Sequence, residues 1–596
     1  MGQRLTYLAK TYLLTVLLFV AAKVVFMLCN SSGHDVMPAD VWAVIGHGLT
    51  LDLSTALYFL ILPFLVCLAS MWVRIPRWLL RIYYAIIALA FSLAFVSDTS
   101  LYQFWGFKLD ASCLQYLSQP EGITQSVSAW YLLVRFLIGA LVAWGIYRAY
   151  LWGKLPHPAT SSRIRETVLF VCLMPVMVIG IRGGLTESTT NIGQVYYSQN
   201  QFLNHSAVNP VFSFLYSLSH QLGDLSEYEF FDEQECQRIV ADVYTTESAG
   251  TDTLLTTQRP NIVIILLESC GEEFAGAMPR LQQLKKEGIC FSNCYGNTWR
   301  TDRGTVCALS GYPSFPGISV MKMPEKSRTL PGIARTLQSL GYETGYVYGG
   351  DINFTNMRSY LISTGWEHLC GMDDFTASER NTAQWGVRDD ITFQTVFRQI
   401  QSFKPGTMNL IGYSSLSSHE PWDVPLQRHA DEVLNAFAYL DDCLADFIER
   451  LQQTPAWDNL LVILTADHGI NYGKIDQSKP LEKNHIPMLW LGGAVREPRT
   501  IDAICNQSDL AATLLGQMGL THDDFTFSRD VLSTSYSYPT AVHNYNNAQL
   551  LIDSTGHILY DFDARRFIIN RSADAERMLL VNKAILQCTT HDLSRR

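Results

Sequence analysis

The sequence predicts an α-helical membrane domain of five spans, then an α/β domain with a mostly parallel sheet and a small C-terminal antiparallel sheet. Three observations predict it. Apolar residues are concentrated before about residue 185, in runs near the roughly 20 residues that cross a bilayer as helix. From Arg259 onward, short β-branched and leucine-rich runs alternate with stretches of helical period. Beyond about residue 535 the texture changes to alternating strands joined by a turn.

The spans come first. They are expected near 11–29, 51–73, 78–97, 129–151 and 166–185. The first is followed by four more and lacks a small-residue cleavage site, so it reads as an anchor rather than a signal peptide. Arg4, Lys10, Arg74, Arg77, Arg148, Lys154, Arg163 and Arg165 fall in one alternate set of flanks and loops. The other set carries Asp35, Asp40, Asp98, Asp110 and Glu121, with Lys108 as its basic residue. The positive-inside rule therefore places the N-terminus in the cytoplasm and everything after the fifth span outside, as in a multi-pass cytoplasmic-membrane protein. Lys23 and Arg135 within the spans read as snorkelling side chains. Asp52, in "GLTLDLSTALY", is the better functional candidate among intramembrane charges.

Residues 186–258 read as a connector whose aromatic, amphipathic stretch "VYYSQNQFLNHSAVNPVFSFLYSLSHQL" fits a membrane surface or a globular neighbour equally well. Residues 259–535 are the expected α/β domain. "NIVIILLES" and "NLLVILTADHG" read as strands buried on both faces, and "LPGIARTLQSLG", "VLNAFAYLDDCLADFIERLQQ" and "SDLAATLLGQMG" as helices. Residues 536–596 are the C-terminal subdomain, with "AVHNYNNAQLLID", "STGH" and "ILYDFD" as a hairpin.

The net charge of −11 and the absence of a dense basic run after the spans argue against nucleic acid. Nine of the 13 cysteines fall after the spans. An outside location permits disulfides, yet an odd number leaves one thiol over, and most read as ordinary buried cysteines.

Ligands of parallel α/β sheets bind beyond the carboxyl ends of the strands. Glu268 closes one expected strand, and Asp467 with His468 closes another. Together they suggest a divalent metal site short of one ligand. Between them lies "NTWRTDRGTVCALSGYP", where a threonine at the start of a helix suits a metal-activated nucleophile or an ordinary N-cap, and spacing leaves both open. The hydroxyl candidates there are Thr298, Thr301, Thr305 and Ser310, and spacing does not choose between Thr301 and Thr305, one helical turn apart.

The order of "LLES", "RTDRG", "SSHEPW" and "ADHG", followed by "HIPMLWLGG" and "SDLAATLLGQMG", resembles the sulfatase-like branch of the alkaline phosphatase superfamily. Within it the sequence is similar to the lipoteichoic acid synthase family of membrane-anchored phosphotransferases. The resemblance implies an alkaline-phosphatase-like α/β domain, with Glu268, Asp467 and His468 as metal ligands. Thr301 would be both nucleophile and fourth ligand, and Arg303 a phosphate-holding residue. His419 would protonate the leaving oxygen or bind the headgroup. More loosely, the stretch "YGGDINFTNMRSYLISTGW" supplies Asp351, Asn353 and Arg358 as headgroup-binding candidates, with Arg388 of "WGVRDD" and His485 of "NHIPMLW" beside them. Manganese is the implied metal, with zinc or magnesium as alternatives.

The implied reaction moves a phospholipid headgroup, glycerophosphate or phosphoethanolamine, onto an extracytoplasmic glycan or lipid-linked acceptor through a phosphothreonine. A phosphodiesterase, a phosphatase or a sulfuric-ester hydrolase of the same superfamily is the alternative, and a non-catalytic lipid-binding membrane protein is a third reading. Sulfate chemistry is disfavoured because "CALSGYP" does not fit the Cys/Ser-x-Pro-x-Arg pattern that sulfatases modify.

Overall fold

The computed structural model describes residues 2–105, 108–111, 113, 129–152, 163–186, 188–219, 228–244, 250–380, 382–469, 479–562 and 564–596. Of the loop charges that orient the spans, Glu121 and Lys154 lie outside these residues. The chain divides into two compact units, residues 1–221 and 222–596.

Among the described residues, the first unit has five helices long and apolar enough to cross a membrane: Gly2–Asn30, Asp40–Ala69, Arg77–Trp105, Ala129–Leu151 and Arg163–Arg182. The first two begin well before their expected stretches and the third runs on past its own, because helical hydrogen bonding continues through flanking polar residues, while the second ends at Ala69, short of residue 73. Arg4 of the first helix donates to Glu166 of the fifth at 2.8 Å.

Lys23 does not snorkel. Its Nζ lies 2.5 Å from Asp52 Oδ2 on the second helix, and both side chains are fully buried. Asn209 Nδ2 donates to the other oxygen of Asp52 at 2.9 Å. The pair is possible because Gly48 has no side chain: a Cβ there would sit 2.4 Å from Lys23 Nζ and 2.3 Å from the Ala207 carbonyl oxygen. Arg135 stacks its guanidinium 4.9 Å from the Tyr131 ring centre. Of the segment expected as a connector, the short helices Gln201–Ala207 and Pro210–Ser219 belong to this unit, and Ala207 and Asn209 pack against its second helix.

The second unit holds an eight-stranded sheet in the order β5-β4-β6-β1-β7-β8-β2-β9. Its strands are β1 (Asn261–Leu267), β2 (Ile289–Phe291), β4 (Tyr342–Tyr348), β5 (His368–Cys370), β6 (Met408–Ser414), β7 (Leu460–Ala466), β8 (Met488–Leu491) and β9 (Arg499–Ile501). Every neighbouring pair is parallel except those made by β8, which runs against β7 and β2. The central strands β1 and β7 are almost wholly buried, as expected of strands covered on both faces. A small parallel pair, β3 (Cys294–Tyr295) with β10 (Cys505–Asn506), lies apart from the main sheet.

At the C-terminal end, β11 (Ala541–Asn544), β12 (Ala548–Asp553), β13 (Gly556–Asp561) and β14 (Arg566–Ser572) form an antiparallel meander. The expected hairpin is therefore the middle of a larger sheet. The helix Ala575–Arg595 buries Met578, Val581 and Ile585 with Val542, Leu551 and Ile558 of that sheet. Cys236 and Val240, from the far end of the expected connector, join the same cluster.

An unpartnered charge buried among helices costs more than the pair it came from. Asp52→Ala should therefore lower the thermal stability of the detergent-purified chain by the equivalent of about 3–5 kcal/mol. The double variant Lys23→Met with Asp52→Leu should recover most of it. Equal losses in the two variants would show that the ion pair is not what holds the first two helices.

Candidate active site

The parallel register of β1 and β7 places Leu267 opposite Ala466. The next residues, Glu268 and Asp467, therefore leave the sheet side by side, and His468 follows at once. All three are buried, and their ligand-capable atoms lie within 4.8 Å of one another. His468 Nε2 is 3.5 Å from Asp467 Oδ2 and 3.7 Å from Glu268 Oε1.

The helix Thr301–Ser310 brings the fourth group. Thr301 Oγ1 lies 3.3 Å from Glu268 Oε2 and 3.3 Å from His468 Nε2. Thr305 is fully buried behind it, and its hydroxyl has no hydrogen-bond partner among the described residues. The close approach depends on Gly304 of "RTDRG", where a Cβ would sit 1.8 Å from the Asp467 carbonyl oxygen.

The donor set fits a divalent cation. His468 Nδ1–H donates to the Gly469 carbonyl at 2.8 Å, which leaves the Nε2 lone pair for the cluster. Asp467 Oδ1 accepts the N–H groups of Ser269 and His468, each at 2.8 Å. Among the described residues, no donor is placed to hydrogen-bond its buried Oδ2, an arrangement that a bound cation would satisfy. Two carboxylates, an imidazole and a hydroxyl suit manganese or zinc.

The electrostatics agree. Burial and the charge of Glu268 push Asp467 up to about 7. Burial opposes ionisation of Glu268 too, but His419 and His468 outweigh it and hold that carboxyl below its ordinary range. Burial disfavours the His468 cation, yet Asp467 and Glu268 raise its pKa overall.

Neighbouring strands supply the supports. Ser415 Oγ accepts the Glu268 N–H at 2.9 Å, and the Ser418 hydroxyl donates to the Glu268 carbonyl at 2.6 Å. This loop, running on from β6, carries His419, whose Nδ1–H donates to the Glu420 carbonyl at 2.7 Å. Asp389 fixes the loop by accepting the N–H groups of Leu416 at 2.8 Å and Ser417 at 3.0 Å. Ser269, between strand and cluster, holds a left-handed backbone at φ 54°.

A cavity of about 330 Å³ opens over the cluster. Glu268, Thr301, His468 and His419 line it, with Trp299, Arg300, Tyr348, Phe354, Thr355 and Trp385 as walls. Arg303 is buried outside this lining and donates to the Phe315 carbonyl at 3.4 Å. Arg300, nearly half exposed, is the guanidinium at the cavity.

The headgroup candidates of the "YGGDINFTNMRSYLISTGW" stretch are used on each other. Arg358 Nε donates to Asn353 Oδ1 at 2.7 Å, and Asn353 donates to Asp351 Oδ1 from its backbone N–H at 3.0 Å. They brace the turn that presents Phe354 and Thr355, and Thr355 and Asn356 both take left-handed backbone there. Arg388 reaches Asp390 at 3.3 Å, and His485 Nε2–H donates to the Ser292 carbonyl at 2.9 Å. Neither lines the cavity.

Sequence reading passed over Gln507. It is fully buried, and its Nε2 donates to the carbonyls of Asp467 at 2.8 Å, Gly304 at 3.2 Å and Ala466 at 3.2 Å. Its Oε1 accepts the Asn297 N–H at 2.8 Å. One amide thus ties the end of β7 to the helix of Thr301. Asp389 was also missed, although it adjoins Arg388. Nothing in "NQSD" or "RDD" marks a residue whose partners are main-chain groups far away in sequence.

Residues 260–520 match the sulfatase family model. Phosphoglycerol transferase I of Xanthomonas campestris is 25% identical over 46% of this chain and 43% of its own length. The chain thus spans less than half the length of these curated relatives. The lipoteichoic acid synthase-like YvgJ of Bacillus subtilis is 21% identical over 81% of this chain and 85% of its own. Among solved structures, an alkaline phosphatase superfamily protein of Vibrio parahaemolyticus aligns with TM-score 0.55 at 23% identity, covering 62% of this chain and 98% of that one. The lipoteichoic acid synthase LtaP of Listeria monocytogenes aligns with TM-score 0.50 at 16% identity, covering 61% and 98%. The fold is that of the alkaline phosphatase superfamily.

Two outcomes follow for metal binding. A proton retained by the buried carboxylates must leave when a cation enters, so affinity should weaken as pH falls below about 7, by up to about tenfold per unit. Titration of manganese across that range checks it, and a flat profile would contradict the shared-proton arrangement. Gln507→Ala should weaken metal affinity by about 10-fold or more while leaving the far-ultraviolet circular dichroism spectrum unchanged.

Proposed function

We propose that this chain, whose residues 260–520 match the sulfatase family model on an alkaline-phosphatase-like fold, is a membrane-anchored, metal-dependent phosphotransferase. The catalytic domain faces outside the cytoplasm, as the loop charges indicate. The donor is a phospholipid, and the acceptor a glycan or a lipid-linked alcohol. The names of the curated relatives favour glycerophosphate over phosphoethanolamine as cargo.

One observation carries the reading. Of the two rival threonines, Thr301 has its hydroxyl at the cavity floor, 3.3 Å from both Glu268 and His468. Glu268, Thr301, Asp467 and His468 would hold the cation, and a donor set rich in carboxylate and hydroxyl oxygens favours manganese. When bound, the cation supplies a lowered pKa for the threonine hydroxyl and offsets charge on the phosphate.

The residues of the chain divide the remaining work. Thr301 gives up its hydroxyl proton to solvent, its Oγ attacks phosphorus, and the bond from phosphorus to the diacylglycerol oxygen breaks. His419 lines the same cavity and gives the leaving oxygen its proton. Arg300 holds non-bridging phosphate oxygens, and the Trp299, Phe354 and Trp385 walls exclude water around the headgroup. The acceptor hydroxyl then returns a proton to His419 as its oxygen takes phosphorus from Thr301.

Detergent-purified chain supplied with manganese and labelled phosphatidylglycerol should release diacylglycerol. Thr301→Ala should lose on the order of 10³-fold or more, and Thr305→Val less than about tenfold. Phosphatidylethanolamine in a parallel reaction decides the cargo. Release from neither lipid overturns the proposal, and release indifferent to an added acceptor assigns a hydrolase instead.

A further inference from the structure

Two cysteines meet at the frame of this site. Cys294 and Cys505 stand directly opposite each other in the parallel pair β3 and β10, and both are fully buried. Both are free thiols in this structure, on facing positions of the two paired strands. Neighbouring strands lie about 4.8 Å apart, within the span of Cα separations that a disulfide bridges. Cys505 N–H donates to the Asn293 carbonyl at 3.0 Å, so the backbone already holds the two strands together.

The position of the pair is informative. Three residues after Cys294 comes Asn297, whose N–H is held by Gln507, and Thr301 follows in the same segment. Gln507 itself lies two residues after Cys505. A bond at the cysteines would therefore join the strand that leads to the threonine with the strand that leads to the amide on Asp467.

We propose that Cys294 and Cys505 are joined by a disulfide in the mature protein, an oxidative staple across the base of the active site. The inference rests on the outward orientation of the domain, since only that compartment favours the bond. In the step, one thiolate attacks a protein or small-molecule disulfide and expels a thiolate from it. The second cysteine then displaces the remaining thiolate from the mixed disulfide. The two cysteines lose two electrons and two protons, and the disulfide oxidant becomes two thiols.

Timing follows from burial. In the folded domain both sulfurs are closed off from solvent, and burial pushes the Cys294 thiol well above its ordinary value. Exchange with a bulky oxidant thus belongs to the time before the domain closes.

The test uses the full chain from membranes, acid-quenched, denatured, alkylated with a maleimide and digested. Peptides of Cys294 and Cys505 should appear as one reductant-sensitive species, and Cys294→Ala should expose Cys505 as a new alkylated thiol. The thermal midpoints of Cys294→Ala, Cys505→Ala and the double variant should fall equally, because each removes the same bond. Protease accessibility of the domain in spheroplasts is read in parallel.

If the domain is outside and both cysteines carry maleimide, the staple is refuted. If the domain is inside, the orientation fails separately, and the staple is then decided on reduced, unfolded chain refolded with oxidised glutathione. Recovery of the 294–505 link upholds it there, and any other pairing, or none, refutes it.

Discussion

The site depends on the adjacency of β1 and β7. Parallel register forces Glu268 and Asp467 out of neighbouring strands at the same level, so two carboxylates are buried within a few ångströms of each other. Like charges so placed repel, and a cation or a shared proton must offset them. His468, Thr301, Ser269 and the backbone groups on Asp467 Oδ1 all answer that one constraint. Without the neighbouring strands, each residue would be an ordinary polar loop position.

The second requirement is that a helix approach this charged edge without a side chain in the way. Gly304 allows the approach, and Gln507 fixes its depth through three carbonyls. Thr301 is therefore placed by main chain. Its rival Thr305, one turn along, is fully buried and does not line this cavity. A difference of one helical turn, invisible to spacing, separates a hydroxyl over the cluster from one packed behind it.

How much was legible follows the range of the interactions. The five spans and the central strands were legible because hydrophobic runs report burial directly. "ADHG" and "LLES" were legible because polar residues end apolar strands abruptly. Strands of two or three residues, such as β3 and β10, carry no periodicity, and the reversed direction of β8 leaves no mark in its composition. The expected snorkelling of Lys23 failed for a related reason. Its partner Asp52 lies on another helix, and the absent side chain of Gly48 makes room for the pair. Asp351, Asn353 and Arg358 looked like ligands for a headgroup because they are polar and near the motif. In the structure they hydrogen-bond one another and stand outside the lining of the cavity.

That last knot has a wider consequence. Floor and wall of the cavity are built by different mechanical systems: the floor by β1, β7 and Gln507, the wall by a turn whose left-handed residues are braced by Asp351, Asn353 and Arg358. A chain with this architecture can exchange the residues at 354 and 355 and reshape what it grips, while its reactive centre stays still. Under the proposed phosphotransfer, selectivity and reactivity are then inherited separately, and one scaffold can diverge in cargo without rebuilding its chemistry.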